Sequence, residues 1–168
     1  MADRWAKAMG KSTKVVDVQD ADGGIVPVLV VMHGDKPVLV RSRGECVSIF
    51  LLMDIPKDIA DRIHRYPGHV QKRVLAALRY ELLSHARTAF ALRPEPLGSI
   101  AELQRIRVEQ LVRISEDDPS SFNRYSDAIQ EIVTTTARVF SVLAPVLPTG
   151  GDAHRADGDK AAPSSMYA

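Results

Sequence analysis

Apolar and polar positions change their spacing several times along this chain, and each change marks an element. From Ile25 to Ile55 the residues read IVPVLVVM, HGDK, PVLVRS, RG and ECVSIFLLMDI. Three apolar runs rich in β-branched residues, parted by short turns at Gly34 and Gly44, predict an antiparallel meander. Val28, Val30, Val38, Val40, Val47 and Ile49 are stiff at χ1 and suit a pleated surface better than a helix. Upstream, residues 3–9 predict a short helix with Trp5, Ala8 and Met9 on one side and Gly10 ending it. Lys14 to Val18 has the β character of an edge strand, and Asp20-Ala21-Asp22-Gly23-Gly24 reads as a turn. Its D-x-D-G spacing lacks the distal Glu of a calcium loop and precedes a strand, so a plain turn is the better reading.

Downstream, Pro56 suits the start of a helix over Lys57–Arg65, which Tyr66-Pro67-Gly68 stops. A longer helix follows from His69 to about Ala86, with Val70, Val74, Leu78 and Leu82 every fourth residue and Leu75 and Leu83 widening the stripe. Thr88–Arg93 reads as a strand. From Leu103 to Ile114 the period falls to two: Ile106, Val108, Val112 and Ile114 point one way, Arg105, Arg107, Glu109 and Arg113 the other. That alternation predicts a strand with one buried and one wet face and a bulge near Gln110-Leu111, although Glu and Gln would also tolerate a helix. Asp118-Pro119 supplies a cap for a last helix to about Leu143, with Phe122, Tyr125, Ile129, Ile132, Val133, Thr136 and Phe140 as its apolar stripe.

These elements predict an α+β fold: a central antiparallel sheet of about five strands with helices packed on one face, in the order α-β-β-β-α-β-β-α. Residues 1–148 would form one domain, and 149–168, small, polar and aperiodic, a disordered tail. At 168 residues the chain suits a single core. The formal net charge of +1 implies no bulk attraction to nucleic acid or membrane, but residues 57–115 carry 11 basic against 6 acidic groups. One cysteine, Cys46, excludes an internal disulfide and a cysteine-based zinc cluster. The first residues do not read as a signal peptide, and no apolar run approaches the roughly 20 residues of a membrane span. A soluble, cytoplasmic protein is expected.

Candidate chemistry is sparse. The five histidines are scattered; only His64 and His69 are close, and neither falls beside a carboxylate at the ligand spacing that would suggest a zinc site. Neither a G-x-S-x-G elbow nor a phosphate-cradling glycine motif occurs. The carboxylates Glu116, Asp117 and Asp118 fall where helix capping accounts for them. No catalytic residue, cofactor or metal is therefore expected, and the chain is not expected to be an enzyme. The arginine row Arg105, Arg107 and Arg113 is the exception. Such a row either keeps a wet sheet face soluble or meets an anionic partner. Apolar residues on both faces of the first meander strand, Val28 and Val30 among them, and of the third, with Phe50, exceed what helices on one side can cover. Either the N-terminal helix with Trp5 folds over the second side, or a second copy or another polypeptide does.

The residues R-W-A-K-A-M-G at 4–10, the meander at 25–52, the L-x-x-I-x-V-E-Q-x-V strand at 103–112 and the F-x-x-x-S-D-A-I-Q-E-I-V helix at 122–133 carry a family likeness. In this layout the chain resembles the type III secretion chaperone-like fold, including YbjN-like proteins and their uncharacterised archaeal relatives. The resemblance implies a homodimeric α+β sandwich that binds polypeptide segments or regulates partners without chemistry. The partner-binding candidates are Arg105, Arg107, Arg113, Val28, Val30 and Phe50. The alternative is a nucleic-acid- or ribosome-associated factor that uses the basic segment 57–115.

Overall fold

The computed structural model describes residues 1–19, 24–85 and 87–144. Residues 20–23 of the turn expected at 20–24, and the tail expected at 149–168, lie outside them. The strands are β1 (Thr13–Gln19), β2 (Ile25–His33), β3 (Lys36–Arg43), β4 (Cys46–Asp54), β5 (Ala89–Arg93) and β6 (Arg105–Arg113). The helices are α1 (Ala2–Ala8), α2 (Lys57–Ile63), α3 (Gly68–Ser84) and α4 (Ser120–Leu143), with a 3-10 turn at Ile100–Glu102. The α+β architecture is as expected, with six strands where about five were expected. The strands form one antiparallel sheet in the order β1-β2-β3-β4-β6-β5.

Strand β4 divides the molecule. Its side chains alternate across the sheet, and Val47, Ile49, Leu51 and Met53 all join the main core. Antiparallel register carries that face outward: Ile49 pairs with Val40, Leu51 with Val108, Met53 with Ile106 and Val47 with Val112. Every helix buries its apolar side here, through Ala6 of α1, Ile63 of α2, Leu78 and Leu82 of α3, and Ile129 and Ile132 of α4. Pairing of β4 with β6 runs unbroken from Cys46–Arg113 to Asp54–Arg105, so the bulge expected near Gln110-Leu111 does not form. The β-branched and apolar residues around Gln110 hold the ladder without an extra residue.

The N-terminal helix lies with the other helices. Trp5 meets Phe122 edge-on at 6.1 Å between ring centroids and Tyr125 at 5.7 Å. This aromatic cluster ties α1 to α4, an arrangement that adds to simple area burial. Trp5 is therefore not a cover for the second face of the sheet. At the start of α4, the Asp118 carboxylate accepts the Ser120 backbone N–H at 2.9 Å. The bonds from Ser120 and from Arg124 hold its pKa down to about 2. Asp118 thus caps the helix from two residues before its first turn, as the sequence suggested in kind.

Two stripe residues depart from expectation. Leu83 is 71% exposed, and Phe140 is exposed with the Lys36 ammonium 6.0 Å from its ring centroid. Both fall at the rim of their helical stripes, one step round from Leu82 and Val139, which are buried. Among the described residues no helix is long and apolar enough to cross a membrane.

The contrast between Leu78 and Leu83 makes a direct test of the core. Leu78→Asp places a charge where exposure is 0% and should cost several kcal/mol against a total stability of about 5–15. Leu83→Asp, on the same helix, should change stability by less than about 0.5 kcal/mol. Urea titrations followed by circular dichroism would check both; equal losses would mean that α3 packs by another face.

Candidate functional site

The sheet face opposite the helices carries the candidate site. Residues alternate with those of the core, so the register alone decides which of them share it. Val30 pairs with Leu39, Leu39 with Phe50, Phe50 with Glu109, and Leu52 with Arg107. On β5, Ala91 pairs with Arg107 and Arg93 with Arg105, while Val18 of β1 pairs with Val26. All six partner-binding candidates from the sequence therefore lie on one face. Among the described residues, the helices bury their apolar sides on the opposite face.

This face is hollow. A cavity of about 400 Å³ is lined by residues from β1, including Val18, and from β5, including Ala89 and Ala91, as well as from the strands between. Six strands laid flat would separate those edges by roughly 24 Å, at about 4.8 Å per step, too far for one small hollow to touch both. The sheet is bent around this face. Bending explains why Val28 is 1% and Phe50 7% exposed with no helix above them. They form the floor, while Leu52 and Val18 remain accessible at 37% and 40%.

Polar groups complete the hollow. The Arg107 guanidinium lies over the Phe50 ring, 4.5 Å from its centroid, a cation–π contact that shields the ring from water. Arg107 also donates to Glu109 at 2.9 Å, but its Nε is buried without a hydrogen-bond partner. Glu109 accepts in addition from the hydroxyl of Ser48, which is fully buried in the sheet, and has Arg43 at 4.0 Å. Along the rim Arg105 pairs with Asp54, Arg93 pairs with Glu95 at 2.8 Å, and Arg41 lines the wall.

Four of the candidates, Val28, Phe50, Arg105 and Arg107, meet in the hollow. Val30 and Arg113 share the face but stand outside it, and Arg113 is paired with Glu45 at 2.7 Å. The sequence reading passed over Leu52, Ala89, Ala91 and Arg93. The alternation of Thr88–Arg93 carried the signal for the last three, since Ala89, Ala91 and Arg93 fall on one side of that strand. The bending, which joins distant strands into one site, left no mark in the pattern.

No family model matches the chain, and no curated protein matches it. Among solved structures it is similar to an uncharacterized protein from Methanothermobacter thermautotrophicus, with a TM-score of 0.66 and 14% identity over 88% of this chain and all (100%) of that one. YbjN from E. coli, proposed to be a transcription regulator, superposes more loosely, with a TM-score of 0.46 and 12% identity over 90% of this chain and 89% of that one. At such identities the likeness is one of fold. At that level the resemblance seen in the sequence to uncharacterised archaeal relatives stands.

Glu109 is the hinge of the polar arrangement and the place to test it. Glu109→Ala leaves the buried Ser48 hydroxyl and the Arg107 guanidinium without their acceptor and should cost about 1–3 kcal/mol in urea unfolding. Leu52→Ser, at the open mouth of the same hollow, should cost well under that. A neutral Glu109→Ala would show that Ser48 and Arg107 find other acceptors.

Proposed function

We propose that this chain is a non-enzymatic binding module that holds a segment of another polypeptide on the uncovered sheet face, working as a homodimer in the cytoplasm. The observation that supports it best is the bent sheet itself. Among the described residues the helices lie on one side, and the other side keeps an accessible apolar hollow ringed by arginines. Such a surface buries a side chain and orients it with a few polar groups, which is how binding clefts work. The resemblance to type III secretion chaperones, which bind polypeptide segments, supports the same reading. The nearest approach to a nucleophile–base pair on this face is Ser48 with Glu109, but the serine is sealed within the sheet, beyond the reach of a substrate.

Two surfaces are needed if a dimer is to keep the hollow open. Val15 and Ile25, 60% and 76% exposed, belong to the β1–β2 hairpin at the sheet edge. A two-fold contact along that hairpin would cover them and leave the hollow free, and isologous pairing of this kind is the commonest form of self-association.

The alternative of a nucleic-acid factor using residues 57–115 finds less support. The basic groups of that segment divide between the helices on one side of the sheet and the β6 arginines on the other. Arg105, Arg107 and Arg113 each already face a carboxylate. Phosphate binding gains from clustered, unpaired cations.

Light scattering coupled to size exclusion tests the dimer. At tens of micromolar the expected mass is twice the 18.4 kDa of the chain, falling toward one chain in Val15→Lys/Ile25→Lys. A single-chain mass for the wild type would overturn the dimer and leave the binding face to be tested by itself.

A further inference from the structure

We infer that β6 carries a second docking place: an unpaired stretch of its outer edge, residues 110–113, that takes an extended segment of another polypeptide as an added strand. This goes beyond the hollow and stands on different residues. Strand β6 has nine residues, and β4 pairs with all of them. Strand β5 has five and pairs only from Arg105 to Glu109. Before Ala89 the chain turns away, with the Thr88 N–H bonded to the His85 carbonyl at 3.1 Å. The Ile114 N–H donates to the Glu45 carbonyl at 3.1 Å, and the Gln104 carbonyl accepts from the Ile55 N–H at 2.8 Å. Even-numbered residues of β6 therefore bond toward β4. Backbone groups alternate in direction along a strand, so those of Leu111 and Arg113 point to the side that β5 has left. Among the described residues no group bonds them. Two N–H donors and two carbonyl acceptors, one pair every second residue, form a template for another strand.

The surroundings leave room for that strand. A cavity of about 930 Å³ runs beside this edge, between β6 and the Asp127–Glu131 stretch of α4. Gln110 lines it, and its Oε1 is buried without a partner, one more acceptor for an incoming N–H. Leu111 is 59% exposed and offers the added strand an apolar cross-strand neighbour. Charge does not choose the occupant. Arg87, Arg113 and Arg124 line the cavity with Asp118, Asp127 and Glu131, three of each sign. Selection falls to the backbone and to one apolar side chain beside Leu111. A nucleic acid has no backbone N–H for the two carbonyls. A second copy pairing through its own residues 110–113 would drive its β5, which shares that edge, into the turn that follows β6. An extended segment of a different polypeptide meets neither obstacle.

The test uses the full-length chain. A display library of random peptides of about ten residues is selected on the immobilised protein. Recovered peptides are synthesised with a fluorophore and titrated by anisotropy against wild type, Leu52→Asp and Leu111→Pro. The proline removes the outward N–H of residue 111 and spares the bonds to β4. Peptides held at this edge are expected to lose about tenfold in affinity or more on Leu111→Pro, and to bind Leu52→Asp as they bind wild type. Methylating their backbone nitrogens one at a time should weaken binding by a similar factor at every second position only. In the free protein the Leu111 and Arg113 amide hydrogens should exchange rapidly, and saturation with peptide should protect both. If Leu111→Pro melts early, the methylation series and the amide protection decide. Peptides that need Leu52 but show neither the alternation nor the protection would keep the hollow and overturn the added strand. Peptides that show both while none needs Leu52 would keep the strand and overturn the hollow as the binding face. A wild-type dimer that falls to single-chain mass in Leu111→Pro would assign the edge to a second copy and overturn the foreign segment. No peptide recovered would overturn both sites.

Discussion

The alternation of side chains along β4 governs the rest of the structure. Val47, Ile49, Leu51 and Met53 face one way and draw α1, α2, α3 and α4 onto that side as a single core. Ser48, Phe50, Leu52 and Asp54 must then face the other way, whatever the surroundings offer them. Because β4 lies inside the sheet, between β3 and β6, its choice of side is copied by register into both neighbours. A one-residue slip would exchange the two sets and place Phe50 and Arg107 under the helices.

The face left without helices solves its apolar surplus in an economical way. The bend of the sheet buries Val28, the Arg107 guanidinium shields Phe50, and Glu109 satisfies the Ser48 hydroxyl. Each arginine of β6 on this face meets a carboxylate. The outcome is a surface stable enough to exist uncovered yet still open at Leu52 and Val18. A face closed completely by its own side chains would have nothing to bind with, while one left flat and bare would aggregate.

Much of this was legible in the chain. Period two over Leu103–Ile114 separated Val108 and Val112 from the arginines correctly, and the meander turns at Gly34 and Gly44 occur with positive φ as glycine permits. The α3 stripe was legible at Leu78 and Leu82 but not at Leu83, because periodicity gives a direction and not the width of the surface that a neighbour covers. The place of α1 was not legible. Trp5, Ala8 and Met9 define an apolar side without saying which surface receives it, and the answer lies in the ring contacts with Phe122 and Tyr125. Curvature was hidden for a similar reason: it belongs to six strands acting together, so no single strand shows it. The pattern set the β6 arginines on the side away from Val108 and Val112, while the side taken by Val28, Val30 and Phe50, and the hollow that unites four of the candidates, came only with the fold.

The central claim is that the native protein keeps an accessible apolar hollow on the face its helices leave open. The most direct measurement is the fluorescence of an apolar reporter dye added to the folded protein. The account predicts enhanced emission with the native wild type and its loss in Leu52→Asp, with the two proteins melting at the same temperature. No enhancement with the wild type, or enhancement unchanged by Leu52→Asp, would contradict it.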